Sequence, residues 1–203
     1  MKTLFLIAVS LMIAGCDAGK GTDKAPAKQA AAEKEMQRQQ EQQAREAEAA
    51  KQRDEGRAQA KASFNQAFSY LGSAKAATAK DAKEKLLHNA EIEFTNAISK
   101  DANYVEAYFN RGVVYMALGK MNKAEEDLKK AIAIDAKNAD AHYNLACLYS
   151  LTNRLDLAAD SLDAALQNGF KNIDSLRSDS DLDALRKTRE FRKVLDRNKI
   201  FIN

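Results

Sequence analysis

The chain has 203 residues, enough for one modest domain with extensions, and a formal charge of +3 with basic and acidic residues interspersed. That balance argues against a nucleic-acid surface, which needs a clustered basic face, and two cysteines, Cys16 and Cys147, are too few for a disulfide framework once one is otherwise engaged. No tryptophan, one proline (Pro26) and eight glycines, against abundant Ala, Lys, Glu and Gln, predict an all-helical protein.

The first element is an apolar run. Met1–Lys2–Thr3 carries one positive side chain, and Leu4 to Ala14 is apolar apart from Ser10. A membrane-spanning helix needs roughly 20 apolar residues, so this run is too short, and a basic lead before it is the anatomy of a secretory signal. Ile13-Ala14-Gly15-Cys16 resembles a bacterial lipobox. The resemblance implies a lipoprotein signal peptide over residues 1–15, cut before Cys16, with Cys16 acylated as the mature N-terminus. Several acyl chains, at about 0.8 kcal/mol per buried methylene, hold a protein to a membrane durably. The alternative is an ordinary signal with an incidental cysteine. Asp17 resembles the signal that keeps a lipoprotein on the inner membrane of enteric-type bacteria. The expected location is therefore the bacterial cell envelope, lipid-anchored and periplasmic, on the inner membrane or else the outer one.

Residues 16–62 hold the lipidated cysteine and a linker. Asp17 to Ala62 contains thirteen alanines, eight glutamines, ten basic and nine acidic residues, with Met36 as its one large apolar side chain. It cannot bury enough surface to fold as a domain. Its residues favour helix, and Glu35/Arg38, Glu41/Arg45, Glu48/Lys51 and Asp54/Arg57 have the spacing of supporting pairs. Gly19, Gly21 and Pro26 disfavour helix at the start, so helix is expected from about Lys28, giving a spacer that reaches roughly 50 Å. A coiled coil is the competing reading, but no Leu or Ile occupies a heptad seam.

From Phe64 the chain repeats. Ala90, Ala124 and Ala158 are each 34 apart, as are Phe94, Leu128 and Leu162, and Ala97, Ala131 and Ala165. Gly112 matches Ala146 and Tyr115 matches Tyr149 at the same spacing. Two stretches, "AYFNRGVVYMALGKMNKAEEDLKKAIAIDAKN" and "AHYNLACLYSLTNRLDLAADSLDAAL", resemble the tetratricopeptide (TPR) repeat, a 34-residue helix–turn–helix unit. The resemblance implies a short α-solenoid over residues 63–168, closed by capping helices over 169–203. In the first unit, Phe64, Phe68 and Leu71 mark an elongated first helix and Leu86 to Ile98 the second. The proline usual after each second helix is Ala102 and Ala136 here, so those helices are expected to run on, and His142 stands where a large apolar residue is usual. Asp179 or Ser180 is expected to cap a short helix carrying Leu182 and Leu185, with Phe191, Val194 and Leu195 closing the last groove.

No catalytic constellation is visible. The histidines, His88 and His142, have no carboxylate or cysteine cluster at metal spacing, and no Gly-rich phosphate loop exists. No cofactor, metal, nucleic acid or small-molecule substrate is expected, and Cys147 and His142 read as packing residues with no enzymatic part. What remains is a surface. In TPR proteins the first helices line a concave groove for a peptide or partner helix. By resemblance that groove is Phe109, Asn110, Val113, Met116, Tyr143, Asn144, Cys147 and Leu151. Asn110 and Asn144 each offer a donor and an acceptor to a backbone. The groove lacks the lysines and arginines that carboxylate-clamp relatives use, and its Phe, Met, Val and Tyr suit a partly apolar segment. The expected function is a membrane-anchored scaffold presenting the repeats to a protein or peptide partner in a cell-envelope assembly. Resembling families serve pilus assembly, outer-membrane assembly or control of cell-wall enzymes. The alternative is a self-associating structural spacer without a specific peptide ligand.

Overall fold

A computed structural model describes residues 25–201, so residues 1–15, Cys16 and Asp17 lie outside the described residues. The elements in order are α1 (Ala25–Ala76), α2 (Lys80–Lys100), α3 (Val105–Ala117), α4 (Met121–Ile134), α5 (Ala139–Leu151), α6 (Leu155–Gln167), α7 (Ile173–Ser178), a single 3-10 turn (Ser180–Leu182), α8 (Asp183–Arg186) and α9 (Arg189–Arg197). No strand occurs among the described residues, and none of their helices is long and apolar enough to cross a membrane. The expected all-α solenoid of helix–turn–helix pairs is the observed architecture.

The chain divides into two units, residues 1–50 and 51–203. In the first, α1 is a solvated helix whose side chains from Ala30 to Ala50 are exposed. It starts at Ala25, so Pro26 falls in the first turn, where a missing N–H costs no helical hydrogen bond. Arg38 and Glu35 approach to 4.0 Å, and Gln42 donates to Glu46 at 2.9 Å, the one-turn pairs that such a composition supplies.

In the second unit α1 enters the core. Ala60, Ala67 and Ala74, evenly spaced by two helical turns, are all buried. A side chain on Gly56 would begin 3.3 Å from the Lys100 carbonyl oxygen at the far end of α2. Counting along the antiparallel pair from that contact sets Ala60 opposite Ala97 and Ala67 opposite Ala90. Small residues facing small residues let the two axes approach closely. Phe94 is fully buried between these helices and takes the edges of Phe64 and Phe68, with ring centroids 5.6 and 6.1 Å away.

The next two pairs are built to one plan. A Cβ on Gly112 would stand 3.0 Å from Leu128 Cγ and 3.4 Å from the Ala124 carbonyl oxygen, so α3 and α4 are as close as they can be there. The turn between paired helices is fixed by left-handed residues at equivalent places, Gly119 (φ 71°) and Asn153 (φ 56°). The N–H of Lys120 then donates to the Tyr115 carbonyl and that of Arg154 to the Tyr149 carbonyl, both at 2.8 Å, closing the preceding helix ends. Leu128, Leu148 and Leu162 form the buried centre, with Leu176, Leu182, Leu185, Phe191, Val194 and Leu195 of the capping region in the same cluster.

One expectation is corrected. Without proline after them, α2 and α4 nevertheless stop, at Lys100 and Ile134. Asp101 and Asp135 take extended backbone, and their carboxylates accept from the N–H of Asn103 (3.0 Å) and Lys137 (3.1 Å). These Asx turns offer the backbone a competing partner, which ends the helix as proline would. Asp179 does cap the following turn, accepting from the Asp181 N–H at 3.0 Å.

Candidate interaction groove

The first helix of each pair presents the same word. It reads Phe109-Asn110-x-Gly112-Val113-x-Tyr115 in α3 and, one repeat period later, Tyr143-Asn144-x-Ala146-Cys147-x-Tyr149 in α5. In α1 it is Phe64-Asn65-x-Ala67-Phe68-x-Tyr70, which stands further from α3 than one period. Burial follows the word: Ala67, Gly112 and Ala146 are all buried, and the aromatic three positions earlier packs on the core in each case. Phe64, Asn65 and Phe68 are therefore the first unit's counterparts of Phe109, Asn110 and Val113. The regular period hid Asn65 from the sequence reading, because eleven inserted residues lengthen the first unit.

The three units differ in what covers them. Phe68 is 46% exposed and Val113 36%, whereas the equivalent Cys147 is 2% exposed. The capping region closes the third unit: the Tyr143 hydroxyl donates to Asp179 at 2.7 Å, and Phe170 stacks on the Tyr143 ring at 4.1 Å between centroids. The Cys147 thiol also faces the Asp179 carboxylate, at 3.8 Å. Burial above all, with that carboxylate alongside, pushes both the Tyr143 hydroxyl and the Cys147 thiol far up, so both stay protonated. Leu151 is exposed, while Phe109 and Met116 are half-buried against the core. Of the eight predicted groove residues, Tyr143 and Cys147 thus lie beneath the cap, and Phe109, Val113 and Met116 share the neighbouring face of α3. Asn110 and Asn144 each give one amide N–H to their own helix, to the carbonyls of Glu106 (2.7 Å) and Asp140 (2.8 Å), which leaves the second N–H and the side-chain oxygen to offer a partner.

The pairs are tied to one another by ionic contacts that the sequence reading missed. Glu91 on α2 meets Lys120 at 2.7 Å, and one repeat period later Glu125 on α4 meets Arg154, also at 2.7 Å. Each cation also lies over the preceding tyrosine, Lys120 5.5 Å from the Tyr115 centroid and Arg154 4.5 Å from that of Tyr149. Burial opposes the charge of Glu91, but hydrogen bonds from Lys120 and His88 outweigh it and hold the carboxyl below the ordinary glutamate range. Glu125 is held down likewise by Lys129, Arg154 and Tyr149 against its burial. Arg111 forms a bidentate pair with Asp127 at 2.7 and 2.8 Å and donates to Thr95 at 3.0 Å, linking α2, α3 and α4. Among the described residues no group of three or more His, Cys, Asp or Glu side chains could hold a metal ion.

Family models described as tetratricopeptide repeat match residues 105–138 and 128–160. No curated protein sequence matches the chain. A solved thermophilic TPR protein of Thermus thermophilus is 28% identical, with a TM-score of 0.52, over 59% of this chain and 62% of that one. The chain thus spans about three fifths of that protein's length. The first TPR domain of Spaghetti (RPAP3), bound to an HSP90 peptide, shares the fold at 17% identity and a TM-score of 0.53, over 70% of this chain and 94% of that one. No catalytic family is indicated. The segment from α3 to α6 carries tetratricopeptide repeats.

Proposed function

Starting from those repeats, we propose that the chain is a membrane-anchored interaction scaffold whose first two helix pairs receive a partner of the cell envelope. The observation that carries the reading is the pair of bared apolar positions, Phe68 and Val113, at equivalent places on consecutive units while the third place is covered by the chain's own cap. An apolar strip repeated along neighbouring first helices fits a segment that spans two units, and no lysine or arginine belongs to the three equivalent words at the aromatic, asparagine or following apolar position. The anchoring part rests on the lipobox-like Ile13–Cys16, with Asp17 favouring retention on the inner membrane.

A photo-crosslinker at residue 113 should capture one saturable envelope partner, and Phe68→Glu should abolish that capture while the chain still folds, with a melting temperature lowered only by the loss of its ring contacts with Phe64 and Phe94. Equal capture from position 133, on exposed Ala133 of α4, would remove the groove from the account. If the captured protein is a second copy, and purified chain shows mass rising with concentration, the structural-spacer reading takes its place. Mass spectrometry of the mature N-terminus tests the anchor: diacylated or triacylated Cys16 is expected, and an unmodified terminus beyond it refutes the lipid. Asp17→Ser should shift the protein between membrane fractions, and an unchanged fraction would make Asp17 an ordinary solvated residue.

A further inference from the structure

The eleven inserted residues lengthen the first hairpin beyond its neighbours. Helix α4 begins at Met121, whose counterpart one repeat period earlier is Leu87, yet α2 begins well before that, at Lys80. The end of α3 at Ala117 corresponds to Gly72 when the two words are aligned, yet α1 continues another turn, to Ala76. The overhang adds little to the core, since Lys80 to Lys85 are all exposed. Against the end of α3 it leaves an open crevice of about 400 Å³, with a floor of Leu87, Ala117 and Leu118 and a rim of Lys80, Lys83 and Glu84. Among the described residues neither the Lys80 nor the Lys83 ammonium has an ion-pair or hydrogen-bond partner, whereas that of the nearby Lys120 is paired with Glu91.

We propose that this crevice is a second docking surface, taken by a partner segment that carries one carboxylate beside aliphatic side chains. The apolar floor receives the aliphatic part. The two unpaired ammonium groups outnumber Glu84 and leave one positive charge to be answered, so complementarity asks for a single carboxylate. A volume of about 400 Å³ is at the small end for a binding site and holds a few residues of a chain, not a folded element. The crevice is formed by the start of α2 and the end of α3, one turn beyond Val113, and none of the residues that line it belongs to the words that bear Phe68 and Val113, so the two surfaces can be tested apart.

The test is an NMR titration of the full-length ¹⁵N-labelled chain with the capped peptides acetyl-Glu-Leu-Leu-amide and acetyl-Gln-Leu-Leu-amide. The glutamate peptide should shift the amides of Leu87, Ala117 and Leu118 saturably, and the glutamine peptide should bind about two- to fivefold more weakly, the worth of an exposed ion pair. Lys83→Glu, an exposed change that leaves folding intact, should lower affinity for the glutamate peptide by a similar factor and leave the glutamine peptide unaffected. Phe68→Glu should alter neither. Equal affinity for the two peptides, shifts centred on Phe68 and Val113, or no saturable shift each overturn the proposal. So do concentration-dependent shifts of Leu87 and Ala117 without peptide, which would assign the crevice to a second copy of the chain.

Discussion

Gly112 and Ala146 occupy the same place in successive units, yet they leave different room. At Gly112 the first side-chain atom would already press on Leu128 Cγ at 3.0 Å, and only that leucine can give way because the other neighbour is backbone. Gly112→Ala should therefore be mild, whereas Gly112→Leu should overpack the helix pair and cost about 1–3 kcal/mol, measured as a lower urea midpoint. An unchanged midpoint would mean that α3 and α4 are not in this register. Cys147 tests the other end of the groove. Its thiol is 2% exposed and pushed up by burial and by Asp179, so it is neutral at pH 7 and shielded from reagents. In a Cys16→Ser chain, where it is the one remaining thiol, Ellman's reagent should label it slowly in buffer and completely in guanidinium. Labelling at the rate of a free thiol would show the third unit to be open rather than capped. Neither residue's environment could be read from its neighbours in sequence: the Cys147 thiol faces Asp179, which follows it by more than thirty positions.

Elements were legible where the hydrophobic period is regular. Ala90, Leu128, Ala131 and their partners at the repeat spacing located α2 to α6, because small and large core residues must recur to let equivalent helices meet. The same comparison applied to charges would have found Glu91/Glu125 and Lys120/Arg154, but charge on a helix ordinarily reads as solvated surface. Arg111 and Asp127 were hidden for a related reason. Their counterparts are Leu145 and Ser161, so an ion pair replaces an apolar filler and the period breaks. The inter-pair links carry a pH dependence. Glu91 and Glu125 have folded-state values below the ordinary glutamate value of about 4.3. Their stabilisation is therefore fully present above that value and is lost as pH falls through the lower folded values. A Glu91→Gln/Glu125→Gln chain should be less stable than wild type by about 1–2 kcal/mol at pH 7, the scale of two partly exposed pairs. The difference should shrink progressively as pH falls below the ordinary glutamate value, as read from urea midpoints across an acid series. A difference that persists unchanged in acid would show that the carboxylates do not carry it.

At the scale of the molecule, the sequence places the end of the linker at residue 62 because apolar side chains begin at Phe64, while packing begins earlier. Within thirteen alanines of one segment, composition cannot tell a solvated alanine from one that lets a helix approach. Only the partner helix distinguishes them: Ala60 falls opposite Ala97, and Gly56 beside the Lys100 carbonyl, so the buried stripe of α1 starts inside the stretch that reads as spacer. Residues 30–50, by contrast, are exposed throughout and carry one-turn pairs such as Glu35 with Arg38. Two truncations separate these roles. A chain beginning at Lys51 should melt with the full-length protein. One beginning at Phe64 loses Gly56 and Ala60 and uncovers Ala97, which at about 25 cal/mol per Å² of apolar surface costs on the order of 1–2 kcal/mol. For a domain of this size that lowers the melting temperature by about 2–8 °C in calorimetry. Identical melting of both truncated chains would put the structural boundary at residue 62 after all. Loss already on removal of the residues before Lys51 would mean that the solvated half of α1 has a partner within the chain, and the division into two units would fail with it.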